Sequence, residues 1–307
     1  NWDYRYSWTR DSAMAIRAMN QIGYPDEAQG FFHFVRDTLE ERRALDIMVA
    51  LDGSDVPDEK VLEHLAGHRD SRPVRVGNAA AHQVQLDVYG GLLDLAYQWH
   101  RRGNSPDPDY WRFIRDLVER ALEKWEQPDQ GIWEMRGDPR HFVQSKAMCW
   151  AAVDCGIHLA EDTGADAPLS RWRAERERIR RRIEEEGYDA DRGVFIQAFG
   201  QRRMDAALLL LPVFRFVDFD DERMFRTVDA VREELEVDGF LRRYDEDGDG
   251  LKGREATFLA CTFWLAEVLA RQGRIDEARE VFDRACGVGN DLDLFAEEYD
   301  TCLLYTS

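Results

Sequence analysis

The stretch Val84-Gln85-Leu86-Asp87-Val88-Tyr89-Gly90-Gly91-Leu92-Leu93-Asp94-Leu95-Ala96-Tyr97-Gln98-Trp99 decides the fold class. Val84, Val88, Leu92, Leu95 and Trp99 recur at spacings of 4, 4, 3 and 4, which places them on one face of an amphipathic helix. The same rhythm runs through Ile114, Leu117, Ala121 and Trp125, through Ala147, Ala151, Cys155 and Leu159, through Met224, Val228, Val231 and Leu235, and through Cys261, Leu265, Val268 and Leu269. It predicts about ten helices. Strand-like stretches are confined to residues 72–76 and 193–198. The expected class is therefore all-α, with residues 1–307 forming one domain.

Composition agrees with a packed globule. Of the 307 residues, 44% are apolar and 33% charged, and the net charge is −20. That much apolar material supplies a core, and the negative balance repels phosphate backbones, which excludes a nucleic-acid partner. The longest apolar run, 206–214, is broken by Pro212 and falls well short of the roughly 20 residues a membrane span needs, so no membrane partner is expected. The five cysteines are scattered, odd in number and set mostly among apolar neighbours, without metal-ligand or disulfide spacing. They read as buried small hydrophobes, suited to a reducing compartment such as the cytoplasm; any targeting signal is expected outside the stretch that starts at Asn1. No metal and no cofactor is expected.

The connections are of two kinds. Those around residues 22–25 and 272–274 are short, whereas 46–78, 127–141, 187–201, 238–255 and 287–300 are long and rich in polar and aromatic residues. In a ring of helical hairpins one face carries the short turns and the other the long loops, where binding chemistry concentrates. An (α/α) toroid with a pocket on the long-loop face follows. The competing architecture is a helical-repeat solenoid, since Gly273-Arg274-Ile275-Asp276-Glu277-Ala278 reads like a tetratricopeptide turn; its sole echo at residues 23–28 does not make an array.

Three constellations carry chemistry. Trp2-Asp3-Tyr4-Arg5-Tyr6-Ser7-Trp8-Thr9-Arg10-Asp11 offers aromatic rings for the C–H faces of sugars, and a guanidinium and carboxylates for their hydroxyls; it reads equally as an aromatic core edge with a capping ion pair. In Gly131-Ile132-Trp133-Glu134-Met135-Arg136-Gly137, a carboxylate beside Trp133 suits a partly apolar pocket and general-acid work, and suits an exposed loop as well. Ala296-Glu297-Glu298-Tyr299-Asp300 supplies a second carboxylate, or an acidic surface turn. Two distant carboxylates converging on one pocket are what glycoside hydrolysis requires.

Together with Arg72-Pro73-Val74-Arg75-Val76-Gly77-Asn78, with Gln83, Gln85, Asp87 and Tyr89, and with Pro139-Arg140-His141-Phe142, these motifs resemble, in order and over nearly the whole chain, the bacterial glucoamylase-type glycoside hydrolases of family fifteen. The resemblance implies an (α/α)6 toroid and inversion at the anomeric carbon, with Glu134 as general acid and Glu297 as general base. It assigns Trp8, Arg10 and Asp11 to the non-reducing glucose, lines the same pocket with Trp133, Arg136 and His141, and counts Tyr4 among the substrate-binding residues. Glu255 falls at the rim. Relative to the family, an N-terminal β-sandwich and the last one or two helices are expected to be missing.

The run Asp245, Asp247, Asp249, Gly250 opens like a calcium loop, but its twelfth position is Ala256 and Glu255 comes one residue early, so an acidic turn is the better reading. The leading function is exo-acting release of glucose from α-glucans or α-glucosides, a small-molecule carbohydrate partner. The alternatives are an α,α-trehalase using the same carboxylate pair and a non-catalytic toroid that binds glucan or protein.

Overall fold

The computed structural model describes residues 2–42, 47–245, 256–301 and 305–306. Its helices among these residues are α1 (Thr9–Ile22), α2 (Pro25–Arg42), α3 (Asp87–Arg101), α4 (Pro108–Lys124), α5 (Val143–Thr163), α6 (Leu169–Glu186), α7 (Glu222–Leu235), α8 (Leu259–Arg271) and α9 (Ile275–Cys286). Described strands are two or three residues long, and they pair antiparallel in small ribbons at the helix ends. The class is all-α, as the periodicity predicts. Both expected strand segments hold one: Arg75–Val76 pairs with Lys60–Val61, and Val194–Phe195 with Tyr188–Asp189. The apolar run at 206–214 begins as a buried 3-10 helix, Ala206–Leu210. Among the described residues no helix is long and apolar enough to cross a membrane.

One compact unit comprises Asn1–Lys124 and Ala152–Arg173. In it α1 packs on α2 and α3, and α3 on α4. The helix forecast from residue 84 starts one turn later, at Asp87, and Val84 is 41% exposed. The traced face is buried up to Leu95, but so are Leu93 and Ala96, so α3 is enclosed on most of its circumference rather than on one stripe. Its buried Asp94 is paired by Arg17 of α1 at 2.6 Å. Helix α4 buries Ile114, Leu117, Val118 and Ala121, and a methyl group added to Gly156 would sit 2.5 Å from Val118 Cγ2, so glycine is what lets the backbones approach.

The second unit comprises Trp125–Ala151 and Ala174–Ser307. Asp221 caps α7 by accepting from the Arg223 backbone N–H at 2.8 Å, and the predicted face of that helix, Met224, Val228, Val231 and Leu235, is fully enclosed. Helices α8 and α9 pack as a hairpin. Two buried threonines fasten strands to helices: Thr227 of α7 accepts from Phe195 N and Thr262 of α8 from Leu241 N, each at 3.0 Å. The Glu277 carboxyl of α9 is held at about 2 by Arg274, with help from Arg232.

A recurring bond sets the long loops. Within the first unit, Thr9 N at the start of α1 donates to Ile47 O at 2.8 Å. Within the second, Val143 N opens α5 on Gln197 O at 2.9 Å, Ala206 N opens the 3-10 helix on Arg243 O at 2.9 Å, and Leu259 N opens α8 on Glu297 O at 3.1 Å. Each is a helix-start N–H without an intrahelical partner, satisfied by a carbonyl of the next long loop along the chain, one helix further on.

Leu93 is 0% exposed, so Leu93→Ala leaves a cavity in the first unit and is expected to cost about 3 kcal/mol. Chemical denaturation measures it; a loss below about 1 kcal/mol would contradict the enclosure of α3.

Candidate active site

The loop carrying Glu134 is closed at its base by a two-bond bridge, Asp129 N to Arg140 O and Arg140 N to Asp129 O, both 2.8 Å. Beneath it, fully buried Lys146 donates to Gln127 O. Burial pulls the Lys146 ammonium below its usual range, and nearby Asp129 pushes it back up. Inside the loop the chain turns at Gly131 (φ +69°), where a β-carbon would stand 2.8 Å from the Phe142 ring. Glu134 itself is left-handed at φ 57°, a conformation uncommon for a residue with a side chain and held by the turn bond from Glu134 N to Gly131 O at 3.3 Å.

Trp133 anchors this turn. Its ring stacks on Trp264 (5.9 Å between centroids), meets Phe258 edge-on at 5.6 Å and lies 6.4 Å from Tyr244. Its indole N–H donates to Asp205 Oδ1 at 2.8 Å. Asp205 is buried and also accepts from Ala207 N at 2.8 Å and Gln197 Nε2 at 3.1 Å; burial raises its carboxyl above the usual range, against the pull of these donors. The space beside Trp133, Gln197 and Asp205 is a cavity of about 10 Å³, room for one water molecule and far too small for a sugar ring.

The loop carrying Glu297 meets the same cluster. Glu298 pairs in register with Phe258, the residue whose ring touches Trp133, and its carboxylate accepts from Arg243 at 3.0 Å. The Arg243 guanidinium lies 5.1 Å from the Phe258 ring centroid and 5.9 Å from that of Trp133. Tyr299 packs on Phe240 at 5.0 Å, and Thr257 donates to Tyr299 O at 2.6 Å. Two carboxylate-bearing loops, far apart in sequence, thus share one aromatic and cationic support.

The model of the family described as glycosyl hydrolases family 15 matches residues 1–302. The chain belongs to this family. It is 42% identical over 307 residues to a trehalase of Mycolicibacterium smegmatis, covering 98% of this chain and 46% of that protein. It is 38% identical over 301 residues to a trehalase of Thermoplasma volcanium, covering 98% and 48%. The chain thus spans about half the length of these relatives. A bacterial glucoamylase solved in complex with acarbose superposes with a TM-score of 0.76 at 15% identity, covering 97% of this chain and 45% of that one. That likeness shows the fold, the all-α (α/α)6 toroid class of family 15.

The structure places the residues expected from sequence as follows. In the second unit Trp133, Glu134 and His141 are half-buried, while Arg136 and Glu297 are exposed. His141 stacks on Phe199 at 5.7 Å, and burial lowers its imidazole below the usual range. In the first unit Trp8 is buried against Ile47, Met48, Val56 and Ala80, with Tyr4 exposed at 5.8 Å between ring centroids. Arg10 donates to Gln85 at 3.2 Å and to exposed Asp11 at 3.1 Å. Glu255, Asp247, Asp249 and Gly250 lie outside the described residues. Sequence reasoning misses Asp205, Arg243, Phe258 and Trp264. The available signal was an aspartate opening an apolar run and an Arg-Arg-Tyr triplet entering an acidic loop.

Asp3 holds the first unit's aromatic segment. It is 5% exposed and accepts from Arg5 twice at 2.7 Å, from Gly77 N at 2.9 Å and from the Tyr6 hydroxyl at 3.0 Å. The Arg5 bond, above all, holds its carboxyl far below the usual range. A carboxylate depressed on folding stabilises above its unfolded pKa, near 4, and that stability is lost as pH falls through the folded value. Asp3→Asn is therefore expected to cost about 1–2 kcal/mol at pH 7, a modest figure because Arg5 is solvent-screened. Denaturant melts should show the gap to the parent narrowing below about pH 4; a gap that widens on acidification refutes the assignment.

Proposed function

We propose that this chain carries the catalytic centre of an inverting α-glucoside hydrolase, with Glu134 as general acid, Glu297 as general base and trehalose as the favoured substrate. The reading rests on one observation: in a family 15 chain, the Glu134 and Glu297 loops converge on the Trp133, Phe258 and Arg243 cluster. Glu134 gives its proton to the glycosidic oxygen as the C1–O bond breaks. Glu297 takes a proton from the water that adds to C1 from the opposite face. The result is one step with inversion.

Sugar recognition is assigned to Tyr4, Trp8, Arg10 and Asp11 in the first unit and to Trp133, Arg136 and His141 in the second, with rings for the C–H faces and charged groups for the hydroxyls. His141, with its imidazole lowered by burial, serves as a neutral donor or acceptor at pH 7. Trehalose is preferred over α-glucans because relatives at 38–42% identity bear the name trehalase. Release of glucose from the non-reducing end of α-glucans is the second reading, and maltose and isomaltose probe it.

With the whole protein, early proton NMR of trehalose hydrolysis should show α- and β-glucose in equal amounts. Inversion makes the attacked ring β and leaves the departing ring α. Release of α-glucose alone would establish retention and remove the acid–base assignment. Turnover of maltose with none of trehalose would replace the substrate, and no turnover of any α-glucoside would leave a binding protein. Glu134→Gln and Glu297→Gln should each lower kcat by at least about 10²-fold with an unchanged circular dichroism spectrum. Near-parental activity in either variant withdraws that residue.

A further inference from the structure

We infer that Asp205 is a positioning residue for the acid side of the reaction, acting on Glu134 through the indole of Trp133. The inference rests on the reading of Glu134 as general acid.

Three features of Asp205 set it apart from an ordinary helix cap. It caps the Ala206–Leu210 helix through Ala207 N, as a short-range cap does, but the same Oδ1 also receives the Trp133 indole N–H at 2.8 Å from 72 residues away. Its position is fixed from both sides, because Gln197 donates to Oδ2 at 3.1 Å while Asp205 bridges Tyr244 in the backbone. It is also deeply buried, where an unpaired carboxyl is costly, so the donors around it are hard to displace.

Trp133 and Glu134 are successive residues of a tight turn, and Glu134 occupies a left-handed conformation. The aromatic neighbours of Trp133 hold the plane of its ring, but ring packing alone leaves the indole free to slide or flip within that plane. The bond to Asp205 removes this freedom. With the ring pinned at its polar edge, the backbone at residue 133 is pinned, and the direction in which the Glu134 side chain leaves the turn is set with it. A misplacement of about 1 Å in a catalytic group costs about 10²-fold in rate, so a bond of this kind acts on kcat more than on binding.

The test separates this role from simple capping. In the parent, with tryptophan indoles labelled with nitrogen-15 and the Trp133 signal assigned by its loss in Trp133→Phe, the Trp133 N–H is expected to exchange with solvent far more slowly than an exposed indole. Exchange at the exposed rate overturns the anchor, and this readout needs no activity. On the substrate the parent turns over, Asp205→Ala should lower kcat by about 10- to 100-fold with KM within about threefold. Asp205→Asn keeps an acceptor for Trp133 and Ala207, and a half-turn of the Gln197 amide meets its new NH2, so its kcat should stay within about threefold of the parent. Trp133→Phe removes only the N–H and its half of the indole. Combined with Asp205→Ala, the loss in kcat should fall well short of the product of the two single losses, because the bond that both changes break is counted once. Additive losses, or an Asp205→Ala enzyme of parental kcat, overturn the proposal. If Asp205→Ala does not fold, Asp205→Asn decides: slow Trp133 exchange with kcat within about threefold of the parent, or fast exchange with a lowered kcat, supports the proposal, and fast exchange with parental kcat overturns it. A parent inactive on every α-glucoside refutes the functional reading instead, while slow indole exchange would still support the anchor.

Discussion

The first free N–H of a helix needs an acceptor, and in this chain that need organises the long loops. At Thr9, Val143, Ala206 and Leu259 the donor finds a carbonyl of the next long loop, one helix further along the chain: Ile47, Gln197, Arg243 and Glu297. A buried backbone donor left alone costs of the order of 1–3 kcal/mol, so each loop is held to its helix by a bond expensive to break. The acceptors are also informative by position. Arg243 and Glu297 give their carbonyls to helix starts, and that fixes where the Arg243 side chain and the Glu297–Glu298 pair begin. Loops of this length would otherwise sample many conformations, and conformational freedom is what a catalytic carboxylate must lose before it acts.

The helices were legible in the sequence because their signal is local. Met224, Val228, Val231 and Leu235 repeat at helical spacing, and the structure buries all four. The start of α3 was read one turn early because Val84 continues the rhythm by chance beyond the helix. The isolated long-range bridges escape for the opposite reason. Phe142 bridges Ala198, and Asp205 bridges Tyr244, across separations that no window of sequence can connect. The site divides along the same line. Trp133-Glu134 and Glu297-Glu298 stood out as motifs, whereas Asp205 looked like a cap in front of an apolar run, and its second partner lies 72 residues upstream.

A chain with a net charge of −20 has little reason to attract anions, and an uncharged sugar asks for no attraction of that kind. On the proposed reading, recognition comes from rings and short-range hydrogen bonds. The remaining problem is internal: acidic loops repel one another. Here the cations are placed where the repulsion would matter. Arg243 sits on Glu298, and Lys146, buried under the Glu134 loop, lies in the field of Asp129. Each cation thus lies beside a carboxylate of the stretch that carries Glu134 or Glu297.

The choice of a carboxyl at position 205 follows from the directions of its donors. Trp133 and Ala207 approach one oxygen and Gln197 the other. A hydroxyl is too short to reach both sides, and an amide keeps the acceptor for Trp133 and Ala207 but meets Gln197 only if that amide turns to present its oxygen. Burial works against the charged form, and the raised carboxyl shows that desolvation outweighs the three donors. Acceptors on both sides of the carboxyl are what these three donors require. A group chosen for geometry fixes its partners in angle as well as distance, and angle is what the neighbouring turn at Glu134, already in an uncommon backbone conformation, has most freedom to lose.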